Sequence, residues 1–138
     1  MKKVNDIRTG RHCVFLLHAH LVFVTKYRYG VFTKIIPDGL KEIFASVCRD
    51  FEAELIEFDG EEDHVHLLVV YPPKAAISSL VNSLKGVSGR LIRRKGYPPI
   101  QKKLWGGSLW SPGYFAGSCG GAPISVLRQY IEAQRTPN

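Results

Sequence analysis

The run His64-Val65-His66-Leu67-Leu68-Val69-Val70-Tyr71 is the segment with the least freedom in how it can fold. It is apolar and rich in β-branched valine, it follows the polar Gly60-Glu61-Glu62-Asp63, and Pro72-Pro73 ends it, so it reads as a strand. Successive strand side chains point to opposite faces, which puts both imidazoles on one face, about 7 Å apart along the strand. Two convergent histidines are half of a metal site. On its own a His-x-His pair is more often the polar face of a half-buried strand, so its meaning depends on a partner elsewhere in the chain.

The flanking periodicities give the architecture. Leu16 to Lys26 is β-branched and aromatic and reads as the first strand. Pro37-Asp38 leads into Leu40, Ile43, Phe44, Val47 and Phe51, an apolar spacing that predicts a helix. Leu55 to Asp59 pairs naturally with His64 to Tyr71 as a hairpin turning around Gly60 to Asp63. Ile77, Leu80, Val81, Leu84, Val87, Leu91 and Ile92 predict a second helix, in which Gly86 and Gly89 would admit close approach of another backbone. Gly96-Tyr97-Pro98-Pro99 closes it. Leu104 to Ala116 reads as a short strand, a turn and another strand, Gly117 to Pro123 as a hinge-like loop, and Ile124, Leu127 and Ile131 as the buried stripe of a terminal helix. The order β-α-β-β-α-β plus a helix predicts an α+β fold, a ferredoxin-like (RRM-like) antiparallel sheet with helices on one face. No internal repeat or second domain is visible, and residues 1–138 are expected to form one domain.

Charge narrows the function. The chain carries a formal net charge of +7, and His64 to Ile131 contains no Asp or Glu at all. Lys85, Arg90, Arg93, Arg94 and Lys95 cluster in that half, followed by Lys102 and Lys103, a density suited to a phosphate backbone. An anionic partner is expected, nucleic acid or an anionic membrane surface. No stretch reaches the roughly 18 apolar residues of a transmembrane helix, and Met1-Lys2-Lys3 leads into no signal-peptide apolar region, which points to a soluble, cytoplasmic protein. Cys13, Cys48 and Cys119 are odd in number and widely spaced, as reduced thiols would be.

The terminal helix offers the missing partner. Tyr130 and Gln134 are four residues apart, on one face beside the buried stripe. Gln is an uncommon ligand, but His64, His66 and Gln134 with open positions would suit Mg²⁺ or Mn²⁺ engaging a phosphate, with the Tyr130 hydroxyl as nucleophile and a phosphotyrosine as product. Alone, Tyr130 reads better as an amphipathic residue at a helix–sheet boundary. Tyr97 and Tyr114 are rival nucleophiles, and Tyr130 is the choice. His18-Ala19-His20 has the same spacing as the first pair, lacks an acidic loop beside it, and reads as structural.

Glu62-Asp63-His64-Val65-His66-Leu67-Leu68 and Tyr130-Ile131-Glu132-Ala133-Gln134 together resemble the HUH single-tyrosine transposases of the smallest bacterial insertion sequences. The resemblance extends to Leu21 to Arg28, Leu84-Lys85-Gly86-Val87-Ser88 and Leu104-Trp105-Gly106-Gly107-Ser108-Leu109-Trp110, in the same order along nearly the whole chain. Glu62 stands where many members have proline, outside the ligand positions. The resemblance implies cleavage and rejoining of single-stranded DNA at insertion-sequence ends. His64, His66 and Gln134 would hold the ion, and Tyr130 would form a 5′-phosphotyrosine and free a 3′-hydroxyl. It also implies recognition of subterminal DNA hairpins, and a homodimer in which the tyrosine helix can complete the partner's site. Lys26, Arg28, Lys85, Arg90, Arg93 and Arg94 would then contact DNA. Two other readings share the scaffold: a non-catalytic nucleic-acid-binding module, though the basic-Gly-aromatic signature of RNA-recognition domains is absent, and a metal-dependent phosphodiester hydrolase using a bound water. A relative dedicated to dispersed palindromic repeats is a narrower alternative with the same chemistry.

Overall fold

The computed structural model describes residues 7–10, 12–25, 35–61, 63–94 and 109–118. Chain order is β1 (Arg8–Thr9), β2 (Val14–Phe15), β3 (His18–Val24), α1 (Ile35–Asp50), β4 (Glu54–Gly60), β5 (His64–Val70), α2 (Ile77–Arg94) and β6 (Phe115–Ser118). From β3 onward this is the β-α-β-β-α-β order, and the four long-range strands lie as β4-β5-β3-β6, every neighbouring pair antiparallel. That is the ferredoxin-like arrangement, with the third strand of the unit inserted between the first two.

Alternation along the strands decides which face meets the helices. Leu21 and Phe23 of β3 and Val65, Leu67 and Val69 of β5 are all completely buried, and they form one core with Leu40 and Phe44 of α1 and Leu80, Leu84 and Ile92 of α2. Phe44 is at its centre, with ring centroids 5.9 Å from Phe23, 5.8 Å from Phe58 and 6.3 Å from Trp110. Both helices therefore cover the same side of the sheet. The chain leaves α1 through a Schellman-type cap, Ala53 N–H donating to Cys48 O and Glu52 N–H to Arg49 O, with Glu52 at φ 59° where glycine is usual.

Two expectations need correction, and one element was not anticipated. The β1–β2 hairpin was not visible in the sequence, because two-residue strands have no periodicity to read. Of the strand, turn and strand expected over 104–116, residues 104–108 lie outside the described residues, residues 109–114 form only an isolated bridge from Trp110 to Thr25, and the second strand is β6, which starts at Phe115 and takes in Gly117 and Ser118, which the hinge-like loop was expected to hold. The reason is one local residue and one distant side chain. Pro112 has no N–H to give a ladder, and the carbonyls of Ser111, Pro112 and Gly113 all accept from Lys85 Nζ. Gly86 and Gly89 do not mark a close backbone approach among the described residues. A methyl at Gly89 would make ordinary contact with Trp110 and Leu109, 3.9 and 4.0 Å away, and at Gly86 only with the flexible end of Arg90. No helix among the described residues is long and apolar enough to cross a membrane.

Candidate active site

The face of the sheet turned away from α1 and α2 carries the histidines. His18, His20, Val22 and Val24 of β3 share it with His64, His66, Leu68 and Val70 of β5, because the register pairs Val24 with His64, Val22 with His66, His20 with Leu68 and His18 with Val70. The four imidazoles thus step diagonally across two strands, each opposite an aliphatic residue. On the other side of β5, Asp59 pairs with His66 and Glu57 with Leu68, a register shifted by the irregularity between Leu55 and Glu57. Val22 and Val24 are completely buried although they lie on this face, so the histidines beside them are in partly apolar surroundings.

Within the row, His64 and His66 are closest, with ring centroids 5.0 Å apart and planes at 75°. Two imidazoles sharing an ion, with metal–nitrogen distances of about 2.1 Å, bring their centroids to roughly 4.5–5.5 Å. The pair falls within that range. His20 stands 5.6 Å from His66, just beyond it. A carboxylate only accepts, so the His64 Nδ1–H donates to Asp63 Oδ1 at 2.7 Å, which leaves Nε2 as the ring nitrogen open to a cation. Burial pushes the His66 pKa below its ordinary value, neighbouring His64 and His20 push the same way, and Asp59 opposes them. A lowered pKa favours the neutral imidazole that a cation requires. The donor set therefore fits half of a divalent-ion site. Among the described residues no group of three His, Cys, Asp or Glu converges, so the ion would need a further ligand of another type or from another segment.

The basic cluster on α2 divides in two. Arg90, Arg93 and Arg94 are exposed in its last turns. Lys85, expected among them as a DNA contact, is otherwise engaged: Nζ donates to Ser111 O at 2.7 Å, Pro112 O at 3.0 Å and Gly113 O at 2.9 Å. Three carbonyls take all three ammonium hydrogens, and burial lowers the Lys85 pKa. Next to it the buried Ser88 hydroxyl donates to Lys85 O and accepts from Trp110 Nε1 at 2.9 Å. Trp110 bridges to Thr25, and Thr25 bonds Asp63, so the last turns of α2 lie at the His64 end of the sheet.

Of the expected site residues, His64 and His66 come together as the spacing requires. Tyr130, Gln134, Lys26 and Arg28 lie outside the described residues. Sequence reasoning passed over Asp63, Thr25 and His20 as members of this neighbourhood. Asp63 adjoins the motif in sequence, whereas Thr25 and His20 could be placed there only by strand register.

Against known proteins, the IS200-like transposase family model matches residues 13–134. The ISDra2 transposase TnpA of Deinococcus radiodurans is 36% identical over 129 residues, covering 94% of this chain and 91% of that protein. The transposase of insertion sequence element IS200 from Salmonella typhimurium is 27% identical, covering 95% and 85%. Among solved structures, one assigned as a transposase of Deinococcus radiodurans superposes with a TM-score of 0.81 at 33% identity, covering 94% and 98%. A REP-associated tyrosine transposase bound to a REP hairpin shares the fold, at a TM-score of 0.52 and 13% identity, over 91% and 68%. The family match spans the segment that carries the paired histidines and runs to Gln134, and the chain belongs to the IS200-like transposase family.

Proposed function

We propose that this transposase cleaves and rejoins single-stranded DNA at insertion-sequence ends through a 5′-phosphotyrosine on Tyr130, with Mg²⁺ or Mn²⁺ held by His64, His66 and Gln134. The observation that carries the reading is the His64–His66 pair, edge to face on one side of a sheet, with Nδ1 of His64 already committed to Asp63. A divalent ion there would supply Lewis-acid polarisation of the scissile phosphate. Tyr130 Oη attacks phosphorus, giving up its proton, and the bond from phosphorus to the 3′-oxygen breaks. That oxygen takes a proton and leaves as a free hydroxyl. The phosphodiester energy is kept in the tyrosyl ester, so a 3′-hydroxyl can reverse the step on another strand without a nucleotide cofactor.

Arg90, Arg93 and Arg94, exposed at the His64 end of the molecule, are suited to the phosphates of a hairpin flanking the cleavage point, together with Lys26 and Arg28. Such contacts fix register and carry no base sequence. A homodimer in which Tyr130 completes the partner's site belongs to the same reading. The test is incubation with Mg²⁺ and a hairpin-bearing single strand from the ends of the element. A covalent protein–DNA adduct that Tyr130→Phe loses is expected; a cut without an adduct would make the protein a hydrolase, and binding without a cut a recognition module.

A further inference from the structure

Neighbouring residues in a strand point to opposite faces, so Asp63 would not reach the ring of His64 if both belonged to β5. Asp63 instead sits in the bend before the strand, and that bend is held from both sides. Thr25, completely buried, donates its backbone N–H to Asp63 O at 2.9 Å and its hydroxyl to the same oxygen at 3.1 Å. Glu61 N–H donates to His64 O at 2.8 Å. Thr25 is fixed in turn, by the Trp110 bridge and by Ser111 N–H donating to Val24 O at 2.8 Å. With the backbone pinned, the carboxylate lies 2.7 Å from His64 Nδ1, and both side chains are only 14% exposed.

We propose that Asp63 is a positioning residue for the metal site: its carboxylate fixes the ring orientation and tautomer of His64 so that Nε2 faces the ion, and Thr25 holds Asp63 in place to do so. This rests on the reading of His64 and His66 as ion ligands. A carboxylate on the distal nitrogen of a ligating histidine sets which nitrogen is free and raises its basicity. An unconstrained imidazole must lose ring and tautomer freedom when it binds an ion; His64 has lost it already. His66 has no such carboxylate bond among those described, so the two ligands are unequally prepared.

The test reads His64 twice. In the metal-free protein, long-range ¹⁵N–¹H spectra are expected to show the Nδ1–H tautomer of His64, and Asp63→Ala is expected to shift it toward Nε2–H. Manganese titration by electron paramagnetic resonance is expected to show affinity falling by roughly 10–100-fold in the same variant. Thr25→Val should produce a smaller change in the same direction, and Thr25→Ser should restore the wild-type values. Should Asp63→Ala fail to fold, Asp63→Asn preserves the shape and is expected to weaken manganese several-fold, because the charge-assisted part of the bond is gone. An unchanged tautomer together with manganese affinity within about twofold of wild type, in either Asp63 variant, would overturn the proposal. If the wild-type protein takes up no manganese, the metal reading itself fails, and the tautomer still decides the role of Asp63.

Discussion

His18-Ala19-His20 and His64-Val65-His66 have the same spacing, occupy adjacent strands and face the same side of one sheet. They differ in what surrounds them. The His64–His66 rings are 5.0 Å apart, a carboxylate in a pinned bend orients one ring, and burial holds the other below its ordinary pKa. His20 joins this group only at its margin, 5.6 Å from His66. Spacing places imidazoles on a face; the bend ahead of the strand prepares one of them to bind. The difference lies in Thr25 and Asp63, outside either His-x-His pair.

The strongest way to break this comparison is to remove one member of each pair. His66→Ala should reduce adduct formation on a cognate single strand by roughly a thousandfold or more, as loss of an ion ligand does when the reaction depends on the ion. His18→Ala should leave the rate within about threefold. Comparable losses in the two variants, measured by single-turnover cleavage, would place the ion somewhere other than between His64 and His66.

A second contrast runs along α2. Lys85 and Arg93 belong to one basic cluster, yet the first is bonded to three carbonyls and the second is exposed. Lys85→Met should lower stability in urea unfolding by about 1–2 kcal/mol, because charged hydrogen bonds to the 111–113 carbonyls are lost. Arg93→Ala should leave stability unchanged and reduce the salt dependence of hairpin binding by about one unit of slope. If Lys85→Met weakened DNA binding without destabilising the protein, the clamp assignment would be wrong.

The smallest effect concerns pH. The folded-state pKa of His66 lies below the unfolded value near 6.5, so the unfolded chain binds more protons in the acid range. Its contribution to stability is complete above about pH 6.5 and is lost as pH falls from there through the lowered folded value. In the metal-free protein, His66→Gln should therefore lose less stability than wild type between pH 7 and pH 5.

Much of the frame was legible because local periodicity and burial agree. The α2 stripe Leu80, Val81, Leu84, Ile92 is buried at helical spacing, and β5 alternates between core and site along His64 to Val70. Where the signal failed, the determinants were non-local. Residues 104–116 read as strand, turn and strand, but over 109–114 the indole of Trp110 packs into the core against Phe23, and Lys85 takes the carbonyls that a ladder would use. Lys85 itself looks like any other basic residue of its cluster until the 109–114 segment folds over it. The site was half legible: the spacing of His64 and His66 put them on one face, whereas their relation to His20 and Thr25 required the antiparallel register of β3 and β5.

The central claim is that the His64–His66 pair, and not its twin on β3, anchors a divalent ion. Manganese titration of three proteins tests it: the wild type, His64→Ala/His66→Ala, and His18→Ala/His20→Ala, each checked for folding by urea unfolding. The account predicts one tight site in the wild type, retained with at most a few-fold change in the β3 variant and abolished in the β5 variant. Loss of that site in the β3 variant, or its survival in the β5 variant, would contradict the account.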